Sequence, residues 1–115
     1  MEVLMDPLFP QPTVELANKR RELAPKQLDA FRAFSAACFE EGEVSAVMKQ
    51  LIAVAVAHTT QCPYCIKSHT TQALKAGATE QMIMEAVWVA AEMRAGGAYA
   101  HSNIALDTMN HYHAR

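Results

Sequence analysis

The 115-residue sequence predicts an all-α fold, a compact and oligomeric bundle of five or six helices, on three observations. Apolar residues recur at three- and four-residue steps through most of the chain, the spacing of one helix face. Helix punctuation falls at the joints between those segments, with Pro25 and Pro63 where a helix can open and Gly42 and Gly77 where one can close. No stretch alternates apolar and polar residues as a half-buried strand does.

Composition narrows the class further. With 51% hydrophobic and 19% charged residues and a net charge of -2, the chain reads as one globular domain, residues 1–115, neither disordered nor nucleic-acid-binding. It has no basic stripe for phosphate, no phosphate loop, no internal repeat and no Ser/His/Asp arrangement. A domain of this size leaves much of its surface exposed, so its apolar, alanine-rich sequence is explained most simply if part of it is buried between subunits; a homo-oligomer is expected. The longest apolar runs, Leu51 to Ala57 and Ala86 to Ala91, are far too short to span a bilayer, so no membrane association is expected. Glu2 and Asp6 stand where a secretory leader would be basic, and the predicted location is the cytoplasm. Three cysteines in a reducing compartment argue for catalytic or core thiols over a disulfide framework.

Residues 1–12 contain Pro7, Pro10 and Pro12 with little periodicity and read as an extended arm. A short helix follows near Thr13 to Leu23. Pro25 then opens an amphipathic helix to about Glu41, on which Leu28, Phe31, Phe34 and Ala37 or Cys38 form the apolar stripe; Cys38, without a partner in sequence, is expected to pack in the core. From Val44 to about Thr59 the chain is apolar on nearly every side, which describes the buried central helix. Gln50, Val54 and His58 fall on one stripe of it, so an amide and an imidazole can face the same cavity; alternatively Gln50 is satisfied by backbone groups and His58 caps the helix end. The next helix runs from Pro63 to Lys75 and is closed by Gly77. Thr79 caps a helix to about Arg94 without a true capping box, because Glu80 and Gln81 precede the third helical position, which Met82 occupies. Ile83, Ala86, Val87, Ala90 and Ala91 form its core stripe, and Trp88 widens the apolar surface as packing or as an interface anchor. Glu92, set in an apolar stretch, must reach solvent, pair with a cation such as Arg94, or serve a site. Gly96 and Gly97 mark a bend or a close helix contact before a last helix, about Ala98 to Asn110, on which His101 is placed inward. His111 and His113 in the tail are expected to be solvated.

The strongest chemical signal is Cys62-Pro63-Tyr64-Cys65-Ile66-Lys67-Ser68-His69. With Pro63 at the first helical position, Cys62 sits at the N-cap, where unpaired N–H groups and the helix dipole favour a thiolate. Such settings lower a thiol pKa from ~8.5 to roughly 3.5–7.5. Helical spacing brings the two cysteine Cα atoms to roughly 5 Å, within the range of a disulfide, and Cys65 and His69 share a face. Three readings compete: a redox dithiol, a metal site, and inert cysteines at a helix start. A structural zinc site wants four ligands, and here one CxxC and one histidine stand without a second CxxC, so His58 or His101 would have to complete it. Thr59, Thr60, Gln61 and Pro63 place Cys62 at an element end and argue against buried, inert thiols. Redox chemistry is the reading the residues support best.

From Val44 to Asp107 the sequence resembles the alkylhydroperoxidase D-like, or carboxymuconolactone decarboxylase-like, proteins: the apolar helix LIAVAVA, then CPYCIKSH, a helix ending KAGAT, and an alanine-rich helix pair. In the peroxidase branch the second cysteine attacks peroxide, the first closes a disulfide and the histidine relays a proton, roles that fall on Cys65, Cys62 and His69. The decarboxylase branch generally lacks the dithiol, so the resemblance points away from decarboxylation. It further implies trimers or hexamers, a peroxide or disulfide substrate and an external thiol electron donor, without a cofactor or metal. One position departs from the pattern: where the family usually carries a glutamate, twelve residues before the first cysteine, this chain has Gln50, so His58 and Glu92 are also considered as relay groups. The alternative from another class is a non-catalytic oligomeric accessory or metal-binding protein.

Overall fold

The computed structural model describes residues 8–115. Five α-helices account for nearly all of the ordered elements: α1 (Val14–Leu23), α2 (Pro25–Phe39), α3 (Ala46–Thr60), α4 (Pro63–Lys75) and α5 (Glu80–His113). No strand occurs among the described residues, and the all-α expectation holds. The first seven residues of the expected arm lie outside the described residues, and residues 8–12 are exposed and outside any helix. The chain forms two compact units, Met1–Gly42 and Glu43–Arg115.

In the first unit α1 packs against α2. Thr13 caps α1, its hydroxyl accepting the Leu16 N–H at 3.2 Å, and Arg21 pairs with Asp29 at 3.0 Å. Pro25 opens α2, whose helical geometry it presets. Neither helix buries a residue. The apolar stripe of α2 is therefore largely uncovered: Phe31 and Phe34 are exposed, and so is Cys38, contrary to the core position expected for it. The physical reason is that two short helices offer too few neighbours to enclose a side chain on every side.

The second unit holds the core. Helix α3 packs against both α4 and α5, and Leu51, Val54, Ala73, Ala78 and Ile83 form the buried cluster, with Val47, Ala86 and Val87 against it. Val54 is wholly enclosed at 0% exposure. Helix α4 ends as expected at Gly77, whose φ of 106° is open to glycine but strained for any other residue. The Ala78 N–H then reaches back to the Ala73 carbonyl at 2.9 Å, and Gly77 N–H to that of Leu74 at 3.1 Å, a Schellman closure.

Helix α5 departs from expectation. It runs 34 residues without a break, so the bend at Gly96 and Gly97 and the separate last helix are corrected to one helix. A helical glycine costs only about 1 kcal/mol relative to alanine, too little to break a helix whose flanking turns both favour continuing. At Gly96 the absent side chain makes room for Glu92, whose Oε1 lies 3.3 Å from where a Cβ would stand. His101 is exposed and not inward, its Nδ1 donating to the Gly97 carbonyl at 2.8 Å. His111 and His113 are exposed, as expected. No helix among the described residues is long and apolar enough to cross a membrane.

Candidate active site

The site starts where α3 stops. Gln61 takes the left-handed conformation, φ 58° and ψ 48°, and reverses the chain; the next residue, Cys62, donates its N–H to the Ala57 carbonyl at 3.1 Å. Cys62 is thus the last hydrogen-bonded residue of one helix end and the N-cap of the next. Its extended backbone and the proline behind it open α4, and its sulfur accepts the Cys65 N–H at 3.3 Å. This is the N-cap hydrogen bond that a serine or threonine oxygen ordinarily makes.

The two sulfurs hydrogen-bond at 2.7 Å, both cysteines are free, and both are half-buried. Hydrogen bonding from the Cys65 thiol, then from its backbone N–H, holds the Cys62 thiol below its ordinary value, against a smaller desolvation effect. The same sulfur–sulfur bond pushes Cys65 up, helped by desolvation and by the charge on Cys62. The Cys62 sulfur collects a backbone donor besides the neighbouring thiol, which favours Cys62 over Cys65 as the anion of the pair.

His69, one turn beyond Cys65, is held from α3. Its Nδ1 donates to Gln50 Oε1 at 2.8 Å, which leaves Nε2 of the neutral ring as the acceptor. Gln50 is the one buried polar side chain among the described residues, 8% exposed, and its Nε2 donates to Gln72 Oε1 at 3.4 Å. Gln72 Nε2 in turn donates to Ser68 Oγ at 2.9 Å. Gln50, Val54 and His58 do lie along the inward side of α3, the first two buried and the third half-buried. Gln50 is satisfied by side chains from α4, not by backbone groups. His58 donates from Nδ1 to the Val54 carbonyl at 2.7 Å, a bond within its own helix. Glu92 is exposed on α5, its carboxylate against Gly96, and stands outside the hydrogen-bonded chain that joins His69 to Ser68. Gln72 and Ser68 were not among the residues singled out from sequence. Their signal was available: Gln72 follows Ser68 by four and His69 by three, which puts it on the face of α4 that carries the imidazole.

Among the described residues no cluster of three or more histidine, cysteine or acidic side chains is placed to hold a metal ion. An open apolar groove of about 350 Å³ runs between α3 and α5, lined by Met48, Leu51, Ile52, Met82 and Val89 among others; none of the site residues lines it.

The fold and site together define a helical protein with a CxxC dithiol at a helix start and a histidine one turn on. The chain belongs to the carboxymuconolactone decarboxylase family, matching it over residues 25–108, a span that crosses both compact units. It is 58% identical over 82 residues to uncharacterized protein 4 in the cox locus of Paracoccus denitrificans, covering 71% of this chain and 74% of that one. An uncharacterized protein of Haemophilus influenzae is 43% identical over 83 residues, 72% of this chain and 74% of that protein. Among solved structures, a carboxymuconolactone decarboxylase family protein from Legionella pneumophila, in its apo form, aligns with a TM-score of 0.65 and 30% identity over 69% of this chain and 70% of its own. A protein from Methanobacterium thermoautotrophicum aligns at 0.69 and 35% identity, over 74% and 98%.

Proposed function

We propose that the chain is a thiol-dependent peroxidase or disulfide oxidoreductase, in which the Cys62–Cys65 dithiol reduces a hydroperoxide or disulfide and an external thiol reductant restores it. The observation that carries this reading is two adjacent sulfurs at a helix N-cap, 2.7 Å apart, with an imidazole one turn beyond. His69 Nε2 takes the Cys65 proton, while the Gln50 carbonyl oxygen holds Nδ1–H and so stabilises the imidazolium. The Cys65 thiolate attacks one peroxide oxygen, an S–O bond forms as the O–O bond breaks, and the departing alkoxide takes the proton from His69 to leave as an alcohol. The Cys62 thiolate then attacks the Cys65 sulfenic acid, expelling hydroxide, which is protonated to water, and leaving the disulfide. An external dithiol returns two electrons and two protons by thiol–disulfide exchange. A reducing compartment such as the cytoplasm suits that last step.

A second order of attack has an observation of its own. Cys62, and not Cys65, is the thiol held below its ordinary value, and on that ground Cys62 is the nucleophile. Single-cysteine variants treated with hydroperoxide in the presence of a sulfenic-acid trap separate the two. Label on Cys65 in Cys62→Ser, and none on Cys62 in Cys65→Ser, supports the first order; the reverse supports the second. No label in either variant, with no peroxide consumed by the wild type, overturns the enzymatic reading in favour of an accessory role.

We further propose that the chain assembles as a homotrimer or homohexamer. Trp88, Val89, Met93, Tyr99 and Ile104 stand exposed along α5, with Trp88 at 70%. Light scattering at micromolar concentration tests this, and a monodisperse monomer rejects it.

A further inference from the structure

We propose that α5 carries a twofold interface, in which the α5 helices of two copies of this chain pair antiparallel and cross at Ala98. The helix outruns the core that holds it. Its buried residues, Ile83 and Ala90, lie in its N-terminal half, and every residue from 98 onward is exposed. A helical stretch of that length is marginal in water by itself, so it needs a surface to lie against.

The sequence of α5 says what that surface is. From 84 to 112 an uncharged stripe recurs at unbroken steps of four and three residues, the period of a helix-pair seam, and all of it is exposed. Large residues stand at its two ends, Met84 and Trp88 at one and Met109 and Tyr112 at the other, each at least half exposed. Between them come Ala91, Ala95, Ala98, Ser102 and Ala105. The charged residues of α5, Glu80, Glu85, Glu92, Arg94 and Asp107, all fall off the stripe. Ser102 already donates its hydroxyl to the Tyr99 carbonyl of its own helix, so covering it strands no hydrogen bond.

Read backwards, the stripe repeats its own order of sizes about Ala98. Two antiparallel copies therefore set Trp88 against Met109 and Met84 against Tyr112 at both ends, with Ala98 facing Ala98 on the axis. Small residues let the axes approach to about 8 Å at the crossing, and the bulky ends fill the gap as the helices diverge. The antiparallel sense lays the bare C-terminal half of each helix along the half that carries the partner's core, and it opposes the two helix dipoles. The four aromatic side chains of such a pair bring on the order of 600 Å² at about 150 Å² each, and the methionines and alanines supply the rest of the roughly 1,200 Å² at which stable interfaces begin. This deepens the assembly reading above and chooses the hexamer, since a trimer contains no twofold axis.

Cross-linking tests it in the full chain with Cys38, Cys62 and Cys65 replaced by serine. At an axial separation of about 8 Å, facing Cα atoms come within the ~7 Å that a disulfide spans. Under mild oxidation Ala98→Cys should form a covalent dimer, and Ala91→Cys and Ala105→Cys should each form none alone. The double variant Ala91→Cys/Ala105→Cys should link, and only between copies, because fourteen helical residues hold the two sites about 21 Å apart in one chain. In the native chain Ala98→Arg, at a position exposed in the single copy, should keep its helicity by circular dichroism and halve the mass seen by light scattering. No dimer from Ala98→Cys, self-linking of Ala91→Cys, or an unchanged mass for Ala98→Arg overturns the proposal. A wild type of trimer mass without the Ala98→Cys link sinks this inference and leaves the trimer; a wild type of dimer mass with the link supports the inference and rejects both trimer and hexamer.

Discussion

The N-termini of α4 and α5 are built on the same plan and do different things. Each opens with an extended residue whose side chain accepts the N–H three positions on, Cys62 from Cys65 at 3.3 Å and Thr79 from Met82 at 3.1 Å. Each has a sulfur at that third position facing back toward the cap. At α5 the cap is a hydroxyl and the sulfur a thioether, and the Thr79 N–H lies 3.5 Å from Met82 Sδ, a weak acceptor completing the reciprocal pair that the absence of glutamate or glutamine there had spoken against. At α4 both groups are thiols, and the same geometry lets one stabilise the other as an anion. Backbone geometry alone therefore makes a cap; two exchangeable sulfur protons are what the proposed redox chemistry needs in addition.

Exchanging the atoms at the α4 cap is the largest break available. Cys62→Ser and Cys65→Ser should each abolish disulfide formation, read as loss of steady-state turnover with an external dithiol. Cys62→Ser should nonetheless keep the fold, because a serine oxygen makes the cap bond at least as well, whereas Cys62→Ala and Thr79→Ala should each cost about 1 kcal/mol in denaturant unfolding. A Cys62→Ser protein that is strongly destabilised would mean that the sulfur serves packing and not chemistry.

Next in size is the proton path. Gln50→Glu places a carboxylate on His69 Nδ1, which stabilises the imidazolium but also repels a thiolate. In the proposed relay the ring stands between carboxylate and thiol, so the first effect dominates, and single-turnover oxidation near neutral pH should rise by roughly tenfold, the weight of one pKa unit. If His58 or Glu92 already served as the base, Gln50→Glu would bring no gain, and His58→Gln or Glu92→Gln would slow the wild type.

The two thiols also predict a pH signature. Ultraviolet thiolate absorbance should show a step below the ordinary thiol value that disappears in Cys62→Ser, since Cys62 is lowered, and a step above it that disappears in Cys65→Ser, since Cys65 is raised. Their effects on stability have opposite signs. The lowered thiol adds stability that is present above its unfolded pKa and lost as pH falls through the folded one; the raised thiol costs stability as pH rises past its unfolded value. Reactivity should thus vary with pH more than stability does.

The smallest effect lies away from the comparison. Nothing stands within 4 Å of a Cβ at Gly97, so Gly97→Ala should stabilise α5 by about 1 kcal/mol without touching turnover.

Much of this was readable from the residues. The limits of α4 follow from Pro63 and Gly77, the cap of α5 from Thr79, and the Cys62 N-cap from the proline behind it, because each is decided by local chemistry within one turn. What escaped depended on neighbours that a helical wheel does not contain. Gly96 and Gly97 are permissive, and only the surrounding turns decide whether they bend the helix. Cys38 lies on an apolar stripe, but a stripe is buried only if something covers it. Gln50 was placed on the right face of α3, while its partner Gln72, 22 positions later, came into view only with the packing of α3 on α4.

The central claim, a redox dithiol of Cys62 and Cys65, is tested most directly by counting thiols. The reduced chain carries three cysteines. After stoichiometric hydroperoxide the count should fall to one, the remaining thiol should be Cys38, and mass spectrometry should place the loss of two hydrogens on the peptide holding Cys62 and Cys65. An unchanged count, or a disulfide that includes Cys38, would contradict it.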